Sequence, residues 1–307
     1  MKSELTSGSE QIKSEGICHR SDLTALTEKE LASRILEKRK LAENITLLVI
    51  HAPLIAAAAQ AGQFVVVRPN EVGERIPLTI SDSNPEKGTV TIIFQEVGRT
   101  TRELAGLNKG EIVPDFAGPL GMPSEIENFG TVACVGGGVG IAVLKPIVKA
   151  LKEAGNEIIG IIGARDASLL ILDKEMEKLS DQFYVTTDNG SRGHKGFVSD
   201  VLKKILDSDK KVDLVLAIGP MPMMRVVSNL TKDYGVRTIV SLDPIMIDGT
   251  GMCGGCRVTI GGKTKFTCVD GPDFDGHEVD WEELALRKQY YKDEERLAIE
   301  NSQVEGK

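Results

Sequence analysis

The hydrophobic pattern changes its period partway along the chain. From about residue 30 to residue 126, apolar residues come in short β-branched runs, Ile45–Ile50, Gln63–Val67 and Val90–Phe94, separated by Gly, Pro and Asn. Such runs between turn formers predict strands, and several in succession predict a small antiparallel barrel. From about residue 127, apolar runs alternate with amphipathic stretches. Strands are predicted at Thr131–Val135, Glu157–Ile162, Gln182–Thr186, Leu214–Ile218 and Arg237–Leu242. Helices are predicted between them at Ala142–Ala154, Lys174–Leu179, Val198–Leu206 and Met221–Tyr234. Buried strands alternating with helices imply a doubly wound parallel sheet. Beyond Trp281 the chain is charged and predicts a helix over Glu282–Glu300. The expected fold class is therefore mixed β and α/β. The expected order is a polar leader over 1–28, a barrel over 29–126, an α/β domain over 127–244, a small module over 245–278 and a charged helical tail over 279–307.

A chain of 307 residues, 41% hydrophobic and 27% charged, is long enough for two globular domains. Its formal charge of −8 argues against nonspecific nucleic-acid binding. No apolar run reaches membrane-spanning length, and the N-terminus lacks the apolar core of a secretory signal. Reduced, metal-competent cysteines fit the cytoplasm.

The chemistry concentrates in Asp248-Gly249-Thr250-Gly251-Met252-Cys253-Gly254-Gly255-Cys256, followed by Cys268. Thiolates with the spacing C-x2-C-x11-C on a glycine-rich backbone suit a metal or an iron–sulfur cluster. A two-iron cluster needs four protein ligands. Asp248, five residues before Cys253, can supply a carboxylate as the fourth. Three other readings stand beside it: a redox dithiol, half of a zinc site with His277 nearby, and ordinary thiols. Cys134 lies in an apolar run and reads as a buried small hydrophobe, while Cys18 has no cysteine neighbours.

Two glycine-bearing turns carry a second chemistry. Gly136-Gly137-Gly138-Val139-Gly140 follows the first strand of the α/β region and opens a helix. There glycine lets the backbone approach a pyrophosphate at a helix N-terminus, as in a dinucleotide site, although a plain strand–helix turn has the same look. Gly219-Pro220-Met221 is a second turn at a strand's C-terminal end, where doubly wound sheets bind ligands. In the barrel region, Arg75-Ile76-Pro77-Leu78-Thr79-Ile80 sets a cation and a hydroxyl along an extended segment. Arg suits a flavin pyrophosphate and Thr a flavin ring nitrogen. Gly98-Arg99-Thr100-Thr101 starts a helix whose N–H groups could face the same phosphates. Asp188 near the end of the third α/β strand could read a ribose hydroxyl and favour NAD(H). Arg165 after the second strand could instead meet a 2′-phosphate.

Together these segments resemble the ferredoxin–NADP reductase superfamily. Arg75-Ile76-Pro77-Leu78-Thr79-Ile80 looks like its flavin motif, and the two glycine-bearing turns look like its nicotinamide-domain signatures. The cysteine loop narrows the resemblance to the electron-transfer subunits of bacterial dihydroorotate dehydrogenase and their bifurcating-transhydrogenase relatives. Asp248 stands where most of them place a first cysteine. The resemblance implies FAD on the barrel, NAD(H) on the α/β domain, and a [2Fe-2S] cluster on Asp248, Cys253, Cys256 and Cys268. It implies hydride transfer arranged by position, with Thr79 near the flavin and no acid–base dyad. It also implies a larger flavin and iron–sulfur partner that binds NADP(H), with ferredoxin served indirectly.

Overall fold

The computed structural model describes residues 33–305, so the 1–28 leader and Cys18 lie outside the described residues. The first part holds β1 (Ile35–Ala42), β2 (Ile45–His51), α1 (Pro53–Ala58), β3 (Phe64–Arg68), β4 (Ile76–Asn84), β5 (Thr89–Gln95), α2 (Arg99–Gly106) and β6 (Asp115–Leu120). The strands form one antiparallel sheet in the order β1-β2-β5-β4-β3-β6. A bridge between Arg34 and Ile112 joins residues just ahead of the two edge strands, so the sheet curls into a barrel. Side chains alternate across a strand, and β3 uses both of its faces. Val65 and Val67 enter the barrel core with Leu48, Ile80, Ile92 and Phe94. Phe64 and Val66 face outward, yet they too are buried, against Met246, Cys256 and Cys268. That double burial is why β3 is a continuous apolar run.

The second part holds β7 (Thr131–Gly137), α3 (Gly140–Glu153), β8 (Glu157–Ala164), α4 (Asp173–Leu179), β9 (Gln182–Thr187), β10 (His194–Lys195), α5 (Val198–Leu206), β11 (Leu214–Ile218), α6 (Met221–Asp233) and β12 (Thr238–Ser241). The remainder is β13 (Arg257–Ile260), β14 (Lys263–Phe266), α7 (Thr267–Asp270), β15 (Asp273–Asp275), α8 (Trp281–Arg287) and α9 (Lys292–Glu305). The main sheet runs β10-β9-β8-β7-β11-β12-β15, parallel except for β15. Its strands are apolar on both faces because helices cover both: α3 and α4 on one side, α5 and α6 on the other. Cys134 in β7 is fully buried, and burial pushes its thiol up to about 12.

Two local expectations differ from the structure. β15 falls in the segment expected to form the cysteine module, yet it pairs with β12 and edges the main sheet. The single helix expected over Glu282–Glu300 is two helices, α8 and α9, separated near Tyr291 at φ 67. The tail is also anchored. Trp281 and Leu284 of α8 are buried in the core of the main sheet, and α9 packs on α2 of the barrel.

Candidate functional site

A cavity of about 500 Å³ lies between the two sheets. Pro77, Leu78 and Thr79 of β4 line it from the barrel side, and Gly137, Gly138 and Gly140 line it from the turn after β7. Gly219 and Pro220 of the turn after β11 complete the opposing wall. The two sides are fastened just beside the cavity. Ser81 Oγ, buried, donates to the Ala142 carbonyl at 2.8 Å, and Lys145 Nζ stands 3.6 Å from Asp82 Oδ2.

The glycines in these turns have different work. A Cβ on Gly140 would lie 2.5 Å from the Ile218 carbonyl oxygen and 2.7 Å from Gly219 Cα. Gly137 is confined by Met223 and Pro220, and Gly219 by Met223 and the Gly137 backbone. These glycines let the turns after β7 and β11 touch. Gly136 lies under Ile141 and Leu144 of α3. Gly138 is different: it has φ +55 and open space where a Cβ would stand. Of this run, Gly138 offers the cavity a bare backbone, which is what close approach of a pyrophosphate requires. Met221 starts α6 but packs into the core of the main sheet rather than lining the cavity.

On the barrel side, Thr101 lines the cavity, while Gly98 and the buried Thr100 do not. Gly98 N–H donates to Thr101 Oγ1 at 3.0 Å, which closes the first turn of α2. Arg75 immediately precedes β4 and lies off the cavity wall. Its side chain is 52% exposed, with Nη2 3.8 Å from Asp115 Oδ2, and Asp115 also pairs with Arg68. The guanidinium is therefore tethered at the surface beside the strand that carries Thr79.

Asp188 also lies off this cavity, exposed in the turn after β9. Its N–H donates to the Ala164 carbonyl at 3.2 Å, and Asn189 N–H to the Arg165 carbonyl at 3.2 Å. The structure thus brings Asp188 and Arg165, rival readers of a ribose, to one edge of the sheet. Phe197, 61% exposed, stands at the same edge. Thr187 pairs with Lys195 in parallel register, so Phe197 follows only two residues beyond the end of β10. An isolated Phe after Gly196 carries no pattern signal; only the register of β10 places it there.

The cysteine loop packs on the outer face of β3. Cys256 and Cys268 are each 1% exposed, with sulfurs 3.2 Å apart, and Cys253 is exposed. Burial, then the neighbouring Cys256, pushes the Cys268 thiol up to about 12. A thiol so placed ionises readily only if a cation replaces the lost solvation, and bound iron does that. Asp248 folds the loop: Oδ1 accepts from Thr250 N–H at 2.9 Å and Oδ2 from Cys253 N–H at 2.8 Å. The Thr250 bond, then that of Cys253, holds its carboxyl below the usual range. Gly249, Gly251 and Gly254 all have positive φ, so glycine is what allows the wrap. The four side chains do not converge as a ligand set: among the described residues no group of three His, Cys, Asp or Glu is in metal-binding array. The donors nonetheless fit an iron–sulfur cluster in kind, with two buried adjacent sulfurs from the loop and α7, and a third thiol and an ionised carboxylate on the loop. His277 is committed elsewhere, with Nε2 3.0 Å from Thr231 Oγ1, which removes the nearest zinc partner.

Phe64 and Met246 join the two sites. Both line the cavity, and both pack in the cluster of side chains that contains Cys256 and Cys268. Neither carries a motif, and only the packing of β3 against the cysteine loop brings them together.

A curled antiparallel barrel, a parallel nucleotide sheet and a C-terminal cysteine loop, all meeting at one cavity, define a modular pyridine-nucleotide-linked reductase. Residues 134–229 match the oxidoreductase NAD-binding domain, and residues 243–280 match the iron–sulfur cluster binding domain of dihydroorotate dehydrogenase B. The chain is 49% identical over 277 residues to a Thermotoga maritima homolog of the electron-transfer subunit of dihydroorotate dehydrogenase B (NAD(+)). The match covers 90% of this chain and 95% of the relative. It is 33% identical over 250 residues to the electron-transfer subunit of dihydroorotate dehydrogenase B from Bacillus velezensis, covering 78% of this chain and 94% of that one. A chain of the solved NADH-dependent reduced ferredoxin–NADP oxidoreductase, studied for flavin-based electron bifurcation, superposes with a TM-score of 0.84 at 49% identity. That match covers 88% of this chain and 97% of the other. Phthalate dioxygenase reductase shares the fold alone, at 16% identity and a TM-score of 0.54. The chain belongs to the family of dihydroorotate dehydrogenase B-type electron-transfer subunits, and it is an oxidoreductase subunit. Among the described residues no helix is long and apolar enough to cross a membrane.

Proposed function

We propose that this chain is the NAD(H)- and FAD-binding subunit of an NADH-dependent reduced ferredoxin–NADP oxidoreductase, passing single electrons through a [2Fe-2S] cluster to a larger cytoplasmic partner. The observation that carries the reading is the shared use of Phe64 and Met246. A cavity walled by a flavin-type strand and two nucleotide-type turns touches the packing around Cys256 and Cys268 without a break. Bound FAD supplies the exchange of a hydride pair for single electrons, and the cluster a one-electron relay.

The chain's own residues bind and align. Pro77, Leu78 and Thr79 would hold the flavin ring against β4, with Thr79 Oγ1 as the hydrogen-bonding group. Arg75, Thr101 and the N-terminus of α2 would take the flavin phosphates. Gly138 and the start of α3 would take the nicotinamide dinucleotide's phosphates, with Gly219 and Pro220 opposite. Asp188 would accept from a ribose hydroxyl and Phe197 would offer a stacking face to a base. Asp248, Cys253, Cys256 and Cys268 would hold the cluster. Positioning rather than proton transfer would be the chain's contribution.

Two outcomes test this. Arg75→Ala is expected to lower FAD occupancy while leaving the melting temperature within a degree or two, since an exposed ion pair contributes little to stability. The lost charge-assisted bond corresponds to about 1.5–3 kcal/mol of FAD affinity. Full FAD occupancy with a lower melting point would assign Arg75 to Asp115 and the fold instead. The isolated chain is expected to reduce an artificial acceptor with NADH but not to couple ferredoxin to NADP(H). Coupled activity in the lone subunit would refute the need for a partner.

The relatives' names support a second reading, the electron-transfer subunit of a dihydroorotate dehydrogenase. Asp248 in place of a first cysteine weighs against it. Purifying the native complex decides: a partner that oxidises dihydroorotate supports the second reading, and one that binds NADP(H) the first.

A further inference from the structure

Arg287 closes α8, a helix that lies beyond the matched cluster domain of residues 243–280. The helix is firmly seated. Asp280 caps it by accepting from Glu283 N–H at 2.9 Å, Trp281 and Leu284 are buried, and Trp281 Nε1 donates to the Gly276 carbonyl at 3.2 Å. From that base Arg287 Nη2 donates to the Gly255 carbonyl at 2.9 Å, between Cys253 and Cys256. Gly255 N–H in turn points at Cys253 Sγ at 3.4 Å. Arg287 Nε is buried without a hydrogen-bond partner, and among the described residues no carboxylate pairs with this guanidinium. Its other neighbour is the Tyr290 ring, 6.0 Å from the guanidinium carbon. A partly buried cation with no counter-charge is costly to hold.

We propose that Arg287 is a positioning residue for the iron–sulfur cluster: it pins the loop at Gly255 and supplies the positive charge that sets the cluster's reduction potential. A two-iron, two-sulfide cluster on three thiolates and a carboxylate is an anion, and accepting an electron makes it more so. A nearby partly desolvated cation favours the reduced form, because net charge and outer hydrogen bonds tune such potentials. Arg257, which donates to the Gly254 carbonyl at 3.3 Å, touches the same loop but is exposed. Solvent screens its charge. The inference rests on the ligand assignment under Proposed function.

The test is a redox titration of the purified, cluster-loaded chain, followed by electron paramagnetic resonance and iron analysis, for Arg287→Gln, Arg287→Lys and Arg257→Gln. Arg287→Gln is expected to keep its iron. At fixed ambient potential its ratio of reduced to oxidised cluster should fall about tenfold, a shift of about 59 mV for one electron. Arg287→Lys should stay near wild type, and Arg257→Gln should shift clearly less than Arg287→Gln. If Arg287→Gln loses its iron, Arg287→Lys decides: iron kept at the wild-type potential supports the charge, and iron lost makes Arg287 a structural tie and overturns the proposal. An unchanged potential in an iron-replete Arg287→Gln also overturns it, as does an equal shift from Arg257→Gln. Absence of iron from the wild-type chain would instead defeat the ligand assignment itself.

Discussion

Cys256→Ala is expected to abolish iron binding, the largest effect a single substitution should have on this chain. Cys256 is 1% exposed and its sulfur lies 3.2 Å from Cys268, so no solvent-borne ligand can take its place. The loss also reaches the fold, because Cys256 packs with Phe64, Val66 and Met246. Removing a buried side chain from such a cluster costs on the order of 1–3 kcal/mol before any loss of bound metal. Asp248 supplies the graded comparison. Asp248→Ala should leave a labile cluster, because a ligand and two loop-closing hydrogen bonds go together. Asp248→Cys should retain the iron with an altered potential, since thiolate replaces carboxylate. Iron, sulfide and flavin assays on the three variants check this. Wild-type iron content and potential in Asp248→Ala would make Asp248 a loop former, and its two hydrogen bonds its whole role.

Gly140→Ala is expected to destabilise the nucleotide domain strongly. The added carbon would stand 2.5 Å from the Ile218 carbonyl oxygen, and backbone cannot swing away as a flexible side chain can. Forcing the turns after β7 and β11 apart should cost on the order of 3 kcal/mol, the upper end for overpacking. A domain this size would lose several degrees of melting temperature. Gly138→Ala, two residues earlier, is the control. Its Cβ meets nothing, and its φ of +55 costs on the order of 1 kcal/mol. That variant should stay folded and, if Gly138 receives the dinucleotide phosphates as proposed, be reduced more slowly by NADH, because the new methyl would occupy their space. Thermal melts and stopped-flow NADH reduction separate the two. Equal stability losses would mean that Gly138, too, serves packing alone.

These predictions mix two kinds of knowledge. The strand–helix alternation from Thr131 onward was legible because both faces of the parallel sheet are buried, so its strands are unbroken apolar runs. β2, β3 and β5 were legible for a like reason. β1 was not: Glu37, Lys38, Arg39 and Lys40 fill it because it is an edge, and edges are kept charged. β13, β14 and β15 are only three or four residues each, too short to show a period, and pairing rather than composition makes them strands. Features that rest on residue type, the thiols of the cysteine loop, Asp248, the glycine turns and the Arg75–Thr79 segment, were legible as candidates in the sequence by itself. Tertiary structure decided which glycines let two backbones meet and which one opens to the cavity. It decided that Arg75 shares Asp115 with Arg68, that Phe64 and Met246 connect the cavity to the thiols, and that Arg287 reaches Gly255. Those facts depend on distances between residues far apart in the chain, and no local pattern encodes such a distance until the two sheets have packed.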